Sequence, residues 1–391
     1  MRPPQPERGR LPLSVFGRSR MLTRSTYHRP LLARQGRRVA LAILTAAVLP
    51  AVPAGAAGAS TLVIEGAGDG HGVGMSQDGA YGFARHGWSY KQILAHYYTA
   101  TTLGQAPPGA VIRVLVGSRV ESVPLERYVR GVVSAEMPSG WPAAALQAQA
   151  VASRTYALTA HAGGSRFDVY SDTRSQVYLG SAAETPQTNA AVAATAGQVV
   201  LYRGAPVPTY FFADSGGMTE DIDNSFIGSP PERWLVGVVD PYDRGPSSSW
   251  RVSLSFASAA SRLGDLVKGA FRGIEVLRRG FSPRIVSAEI LGSGGNRVVD
   301  GPELASVLGL SSTWAYFSVR NGSTVTPEPD RSGYQAGKSS APAPSAPAPV
   351  AVPGPSPRAA PPTGPQGGTE SPGGQVVSPT TTGATGGAPA R

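Results

Sequence analysis

The chain has 391 residues, no cysteine and a formal net charge of +10. The charge does not describe a nucleic-acid surface, because residues 1–59 hold ten of the 35 basic residues and one of the 25 acidic ones, leaving 25 basic against 24 acidic in the remainder. Without cysteine there is no disulfide, thiolate nucleophile or thiolate metal ligand, so any folded domain must be held by an apolar core.

The first 59 residues read as a signal peptide with a long arginine-rich front. An apolar run from Val39 to Val52 is followed by Ala57-Gly58-Ala59, a small-residue cleavage pattern, and is shorter than the roughly 20 residues a spanning helix needs. The mature chain is expected to begin near Ser60 and to be secreted, with no transmembrane helix left after cleavage. Arg37-Arg38 also fits a twin-arginine signal, and Met21 offers a second start.

From Ser60 onward short strands alternate with helices. Residues 61–65, 111–116, 198–204 and 208–217 are β-rich runs bounded by Gly or Pro. Residues 70–88, "GHGVGMSQDGAYGFARHGW", place glycines at 70, 72 and 74 around His71. Such a cluster marks either a tight turn against the core or a backbone that a ligand approaches closely, and both readings stand. Its G-x-G-x-G spacing, with no downstream acid, is not that of a dinucleotide loop. His71, His86 and His96 match no common metal spacing, and no metal is assigned. Ser89 is placed to cap a helix carrying Ile93, Leu94, Tyr97 and Tyr98.

Two helices carry the chemistry. In "VPLERYVRGVVSAEMP", Leu125, Val129, Val132 and Glu136 follow one face, and Pro138 stops the helix. A carboxylate ending an apolar stripe at a helix C-terminus is pushed toward its protonated form, as a general acid requires. The alternative is a last turn rotated to the surface with Glu136 solvated. In "PAAALQAQAVASRTYALTAHA", Gln147, Val151, Arg154 and Leu158 share a face. Arg154 there needs an anion; Glu136 is the nearest candidate along the chain, with another acid or a backbone carbonyl as alternatives. A mixed α+β domain over 60–322 and a disordered Pro/Gly/Ala-rich tail over 323–391 complete the reading.

Taken together, "LERYVRGVVSAEMPSGWPAAALQAQAVASRTYAL", "SQVYLG", "ADSGGMTE", "VVDPYD" with Trp250 following, "LGLSSTW" and the opening "GHGVGMSQDGA" resemble the stage II sporulation protein D / amidase-enhancer LytB family. The resemblance implies a cell-wall lytic transglycosylase acting without a cofactor on peptidoglycan glycan strands stripped of their peptides. Glu136 would be catalytic and Arg154 its partner; His71, Ser76, Gln77, Gln149, Tyr156, Gln176 and Ser215 would line the cleft. The family name also implies a second reading, a non-catalytic glycan-binding enhancer of a cell-wall amidase. A third, a structural envelope module working through its tail, leaves Glu136 unexplained. Two departures from the family pattern matter. The glycine signature precedes the catalytic helix, where many relatives carry it afterwards, which reads as a circular permutation and predicts that residues 316–319 lie beside 61–65. Ser171 and Ser175 stand where some relatives place zinc-binding cysteines, so that metal is not carried over.

Overall fold

The structure, a computed structural model, describes residues 60–334; the leader and most of the tail lie outside the described residues. It is a mixed α+β arrangement built on two apolar cores.

The first core forms around helices α1 (Gln77–Arg85), α2 (Tyr90–Tyr97), α3 (Leu125–Glu136), α4 (Ala143–Thr159) and α5 (Pro186–Ala194). Ser89 and Gln92 close a capping box on α2, as their spacing predicts. α3 buries Leu125, Tyr128, Val129, Val132 and Val133 and stops at Met137, ahead of Pro138. Twelve of the seventeen residues of α4 are buried. Its alanines leave room for α1, α2, α3, α5 and the strand Gln198–Tyr202 to close on it from several sides.

The second core lies under a four-stranded antiparallel sheet ordered Trp250–Ser255, Thr61–Gly66, Ala315–Asn321, Thr324–Pro327. Leu62 and Ile64 point inward and are fully buried. Beside them pack the meander Phe271–Arg279, Ile285–Gly292, Arg297–Asp300 and the helices Phe256–Leu263 and Gly301–Leu308. Ile64 pairs with Phe317 and Val63 with Ser318, so residues 316–319 do lie beside 61–65.

The tail starts later than the composition suggests. Thr324–Pro327 pairs with Ala315–Asn321, Val276 donates to the carbonyl of Pro329 at 3.0 Å, and Asp330 pairs with Arg279 at 2.8 Å. A short Thr/Val edge strand needs a partner on one side only and tolerates a terminal proline, so residues 324–327 pair although they bury little apolar surface.

A buried carboxylate group ties the first core together. Tyr97 donates to Asp240 at 2.6 Å, and Ser76 and Ser215 donate to Asp243 at 2.7 Å each. Burial, reinforced by repulsion from Asp243, pushes Asp240 up to about 8, Asp78 to about 7 and Asp214 to about 6. An unfolded aspartate titrates near 3.9, so these groups hold protons in the fold that the unfolded chain has released. Their contribution to stability is complete below about pH 4 and is lost as pH rises through the folded values. His71 and His96, each pulled down to about 4 by burial, act in the opposite sense, but only below the ordinary histidine value of about 6.5. Thermal melts should therefore show Tm falling between about pH 6.5 and 8.5. Asp240→Asn, which keeps an acceptor for Tyr97, should make that fall shallower; equal slopes in the two proteins would contradict the assignment.

Candidate active site

Glu136 is the last residue of α3 and is partly exposed. Its Oε1 accepts the backbone N–H of Val177 at 2.6 Å, and its Oε2 accepts Nε2 of Gln77 at 3.2 Å. The same amide group of Gln77 lies 3.4 Å from the carbonyl oxygen of Glu136. Burial raises the pKa of this carboxyl, and the two donors oppose the rise. The carbonyl end of α3 adds partial negative charge on the same spot, again favouring the protonated form.

Val177 is aimed by its neighbours. Gln176 is buried, and its Nε2 donates to the Tyr128 hydroxyl at 2.9 Å and to the carbonyl of Ser153 at 3.2 Å. Tyr178 stacks on Tyr128 with ring centroids 5.0 Å apart, across the backbone of Gly131. A Cβ at position 131 would stand 2.6 Å from the Tyr178 ring, so a glycine inside α3 lets the 175–179 segment lie flat on the helix. Tyr156 hydrogen bonds Ser175 and feels the charge of Glu136. Gln149 is fully buried and donates to Ser153 at 2.9 Å. Gln149 and Gln176 are thus supports of the wall, corrected from groups offered to a ligand; Tyr156 is largely buried between them and the carboxyl.

Arg154 is also corrected. It is completely buried, and its Nε and Nη2 bind Oε1 and Oε2 of Glu126 at 2.7 and 2.8 Å. Its Nη1 donates to the carbonyls of Ala150 and Gln198. The reason is register. A six-residue connection returns α4 against α3, and Arg154 stands eleven residues into α4, about 16 Å along the axis. That height matches the first turn of α3, where Glu126 sits, and not its last.

The glycine loop is packed closely by other parts of the protein. At Gly72, φ is +85°, and a Cβ would stand 2.5 Å from Nε of Arg284; at Gly74, φ is +77°, and a Cβ would collide with the carbonyl of Tyr210. What approaches the bare backbone is the Arg284 guanidinium on one side and the 210–212 strand on the other. His71 accepts the N–H of Val73 at 3.0 Å through Nδ1, with its ring among Tyr210, Phe212 and Phe226. Ser76 caps α1 through Gly79 while donating to Asp243, and Ser215 gives both its N–H and its hydroxyl to Asp243. Ser76 and Ser215 are fully buried, which removes them from the cleft. His86 stacks on Tyr242 at 3.8 Å, and His96 bonds the carbonyl of Val239 at 3.1 Å, so the three histidines serve separate contacts.

Of the residues expected at the site, the structure therefore brings Gln77 to the carboxyl of Glu136, with Tyr156 nearby. Reading the sequence missed Val177, which contributes only a backbone N–H and carries no signal in its side chain. It also missed Tyr178, and Tyr81, whose ring lies 4.9 Å from that of Trp141. Tyr81 was discoverable, since it follows Gln77 by one helical turn.

A family model described as stage II sporulation protein matches residues 117–202, a span that holds Glu136, Arg154, Gln149, Tyr156 and Gln176 but not the glycine loop. The chain is 29% identical over 246 residues to stage II sporulation protein D of Bacillus subtilis, covering 58% of this chain and 69% of that protein. A protein of Brachyspira hyodysenteriae is 38% identical over 140 residues, which is 35% of this chain and 38% of its own length. The amidase enhancer of Bacillus subtilis is 34% identical over 140 residues, 36% of this chain and 19% of that larger protein. The α3–α4 unit and its glutamate lie inside the matched span, and over that region the chain is similar to the stage II sporulation protein D / LytB family.

Proposed function

We propose that this protein is an exported lytic transglycosylase that cleaves peptide-free peptidoglycan glycan strands, with Glu136 as acid and then base. The observation that carries the reading is the carboxyl itself: partly exposed, raised toward its protonated form by burial, and steadied by two donors. Protonation of the glycosidic oxygen by Glu136 releases one sugar. The resulting carboxylate then accepts the proton of the 6-hydroxyl of the retained ring as that oxygen attacks C1. The attack is intramolecular, so neither a second carboxylate nor a bound water is required. No carboxylate is among the groups that shift Glu136, which accords with a one-carboxyl mechanism. Export rests on the leader, which lies outside the described residues; among the described residues no helix is long and apolar enough to cross a membrane.

Incubating the purified protein with peptide-free strands should give products ending in 1,6-anhydro sugars, one water lighter than hydrolysis products by mass spectrometry. Glu136→Gln should reduce their rate of formation by about 10²–10⁴-fold. The name of the amidase-enhancer relative supports a second reading, glycan binding that stimulates a separate amidase. Under it, Glu136→Gln would bind strands and stimulate the amidase as well as the wild type does.

The pH profile tests the role of Gln77. Its amide stabilises the ionised carboxyl, so Gln77→Leu should raise the pKa of Glu136 further. Activity requires the protonated form and falls as pH rises through that value, so the alkaline limb should move to higher pH in the variant. An unmoved limb with a lowered rate would mean that Gln77 only packs there.

A further inference from the structure

Tyr81 and Trp141 are two large rings that stay partly exposed, although Trp141 also packs one side against the first core. Tyr81 lies on α1, one turn (about 5.4 Å) beyond Gln77, and Trp141 stands in the α3–α4 connection five residues past Glu136. Their ring planes are tilted by 42°, and both residues are partly exposed. Neither the Tyr81 hydroxyl nor the Trp141 indole N–H has a hydrogen-bond partner among the described residues, and neither is a buried unsatisfied atom, so both polar tips are open to solvent. The same holds for Oε1 of Gln77, although that residue is only 8% exposed. Its Nε2 is committed to Glu136, leaving Oε1 as a free acceptor beside the carboxyl.

We propose that Tyr81 and Trp141 form a stacking subsite for a pyranose ring of the glycan strand, one sugar removed from the bond held at Glu136. The inference rests on the reading of Glu136 as the site of cleavage, and it names what lies beside that site. The C–H face of a pyranose carries slight positive charge and packs on the negative face of an aromatic ring. The equatorial substituents of the sugar point outward at its rim. There the indole N–H can donate to an acetamido carbonyl, and Oε1 of Gln77 can accept from a hydroxyl or an acetamido N–H. An apolar wall with a few aimed polar groups is the usual composition of such a site. One helical turn between the carboxyl-binding Gln77 and Tyr81 matches the spacing of neighbouring rings in a strand. A glycan lying on α1 would thus meet the rings and the acid in succession.

The test measures binding of peptide-free glycan strands in the Glu136→Gln background, where strands are not consumed, together with turnover in proteins that retain Glu136. Trp141→Ala and Tyr81→Ala should each weaken binding by about tenfold, and Trp141→Phe should recover most of the loss. Trp141 fluorescence should shift when N-acetylglucosamine oligomers are added, and that shift should vanish in Trp141→Phe. Melting temperatures identify any variant that fails by unfolding, and Tyr81→Ala, on the outer face of α1, serves if Trp141→Ala does so. If both alanine variants stay folded and bind and cleave strands as the wild type does, the subsite is wrong while the role of Glu136 stands. If the wild type neither binds nor cleaves strands, the functional reading fails first, and the subsite with it.

Discussion

The buried guanidinium of Arg284 is the contact on which the arrangement of the two cores depends. It donates to the carbonyls of Met218 and Ser215 at 2.6 and 3.0 Å and fills the space left by the missing side chain of Gly72. Burial pulls it down to about 10, against the attraction of Glu220, Asp214 and Asp243, so it remains a cation at neutral pH. A lone buried charge would be prohibitive; here several carboxylates surround it, and Glu220 is itself satisfied by Phe281, Ser282 and Asn224. Arg284 belongs to the second core and the glycine loop to the first, so the guanidinium is where they are fastened. The fastening reaches the active site by a short route. The loop it fixes ends at Ser76, which caps α1 and bonds Asp243, and the next residue is Gln77, which holds the carboxyl of Glu136.

This route shows how a glycine-rich loop can set the position of Glu136 through packing alone. Tight packing transmits position, and four glycines with left-handed backbone leave no slack between Arg284 and the Tyr210–Phe212 segment. The same contact is compatible with more than one chain order. The strand Thr61–Gly66, which leads into the loop, pairs along its length with Ala315–Asn321, so the chain can enter the loop from this sheet whichever element comes first.

Legibility in the sequence followed the range of each interaction. The helices α3 and α4, their proline boundaries and the apolar stripe ending in Glu136 are local patterns, and all were readable. The partner of Arg154 was not, because proximity in sequence favoured Glu136 whereas antiparallel return of α4 places Arg154 at the height of Glu126. That error was avoidable in principle, since two helices joined by a short turn pair residues equidistant from it. The donor on Glu136 was not avoidable. Val177 acts through its main chain, and its aim comes from Gln176 and from the vacancy at Gly131, relations that only the folded chain contains. The glycine loop illustrates a third case: the sequence left open a tight turn or a close approach, and the group that packs on it, Arg284, lies more than two hundred residues away.

The environment of Glu136 also bears on the proposed acid-then-base role of this one carboxyl. An acid that gives up its proton must be tolerable as an anion, or the transfer stalls; a base that regains it must not be too comfortable as one. Burial and the α3 C-terminus disfavour the anion, whereas the N–H of Val177 and the amide of Gln77 favour it. Neither donor is itself a charge, so burial still prevails and the carboxyl stays raised, whereas a salt bridge to Arg154 would have favoured the anion. The burial of Arg154 on Glu126 is therefore chemically useful. It keeps a full positive charge away from Glu136, which under the proposed function must both give up and regain a proton.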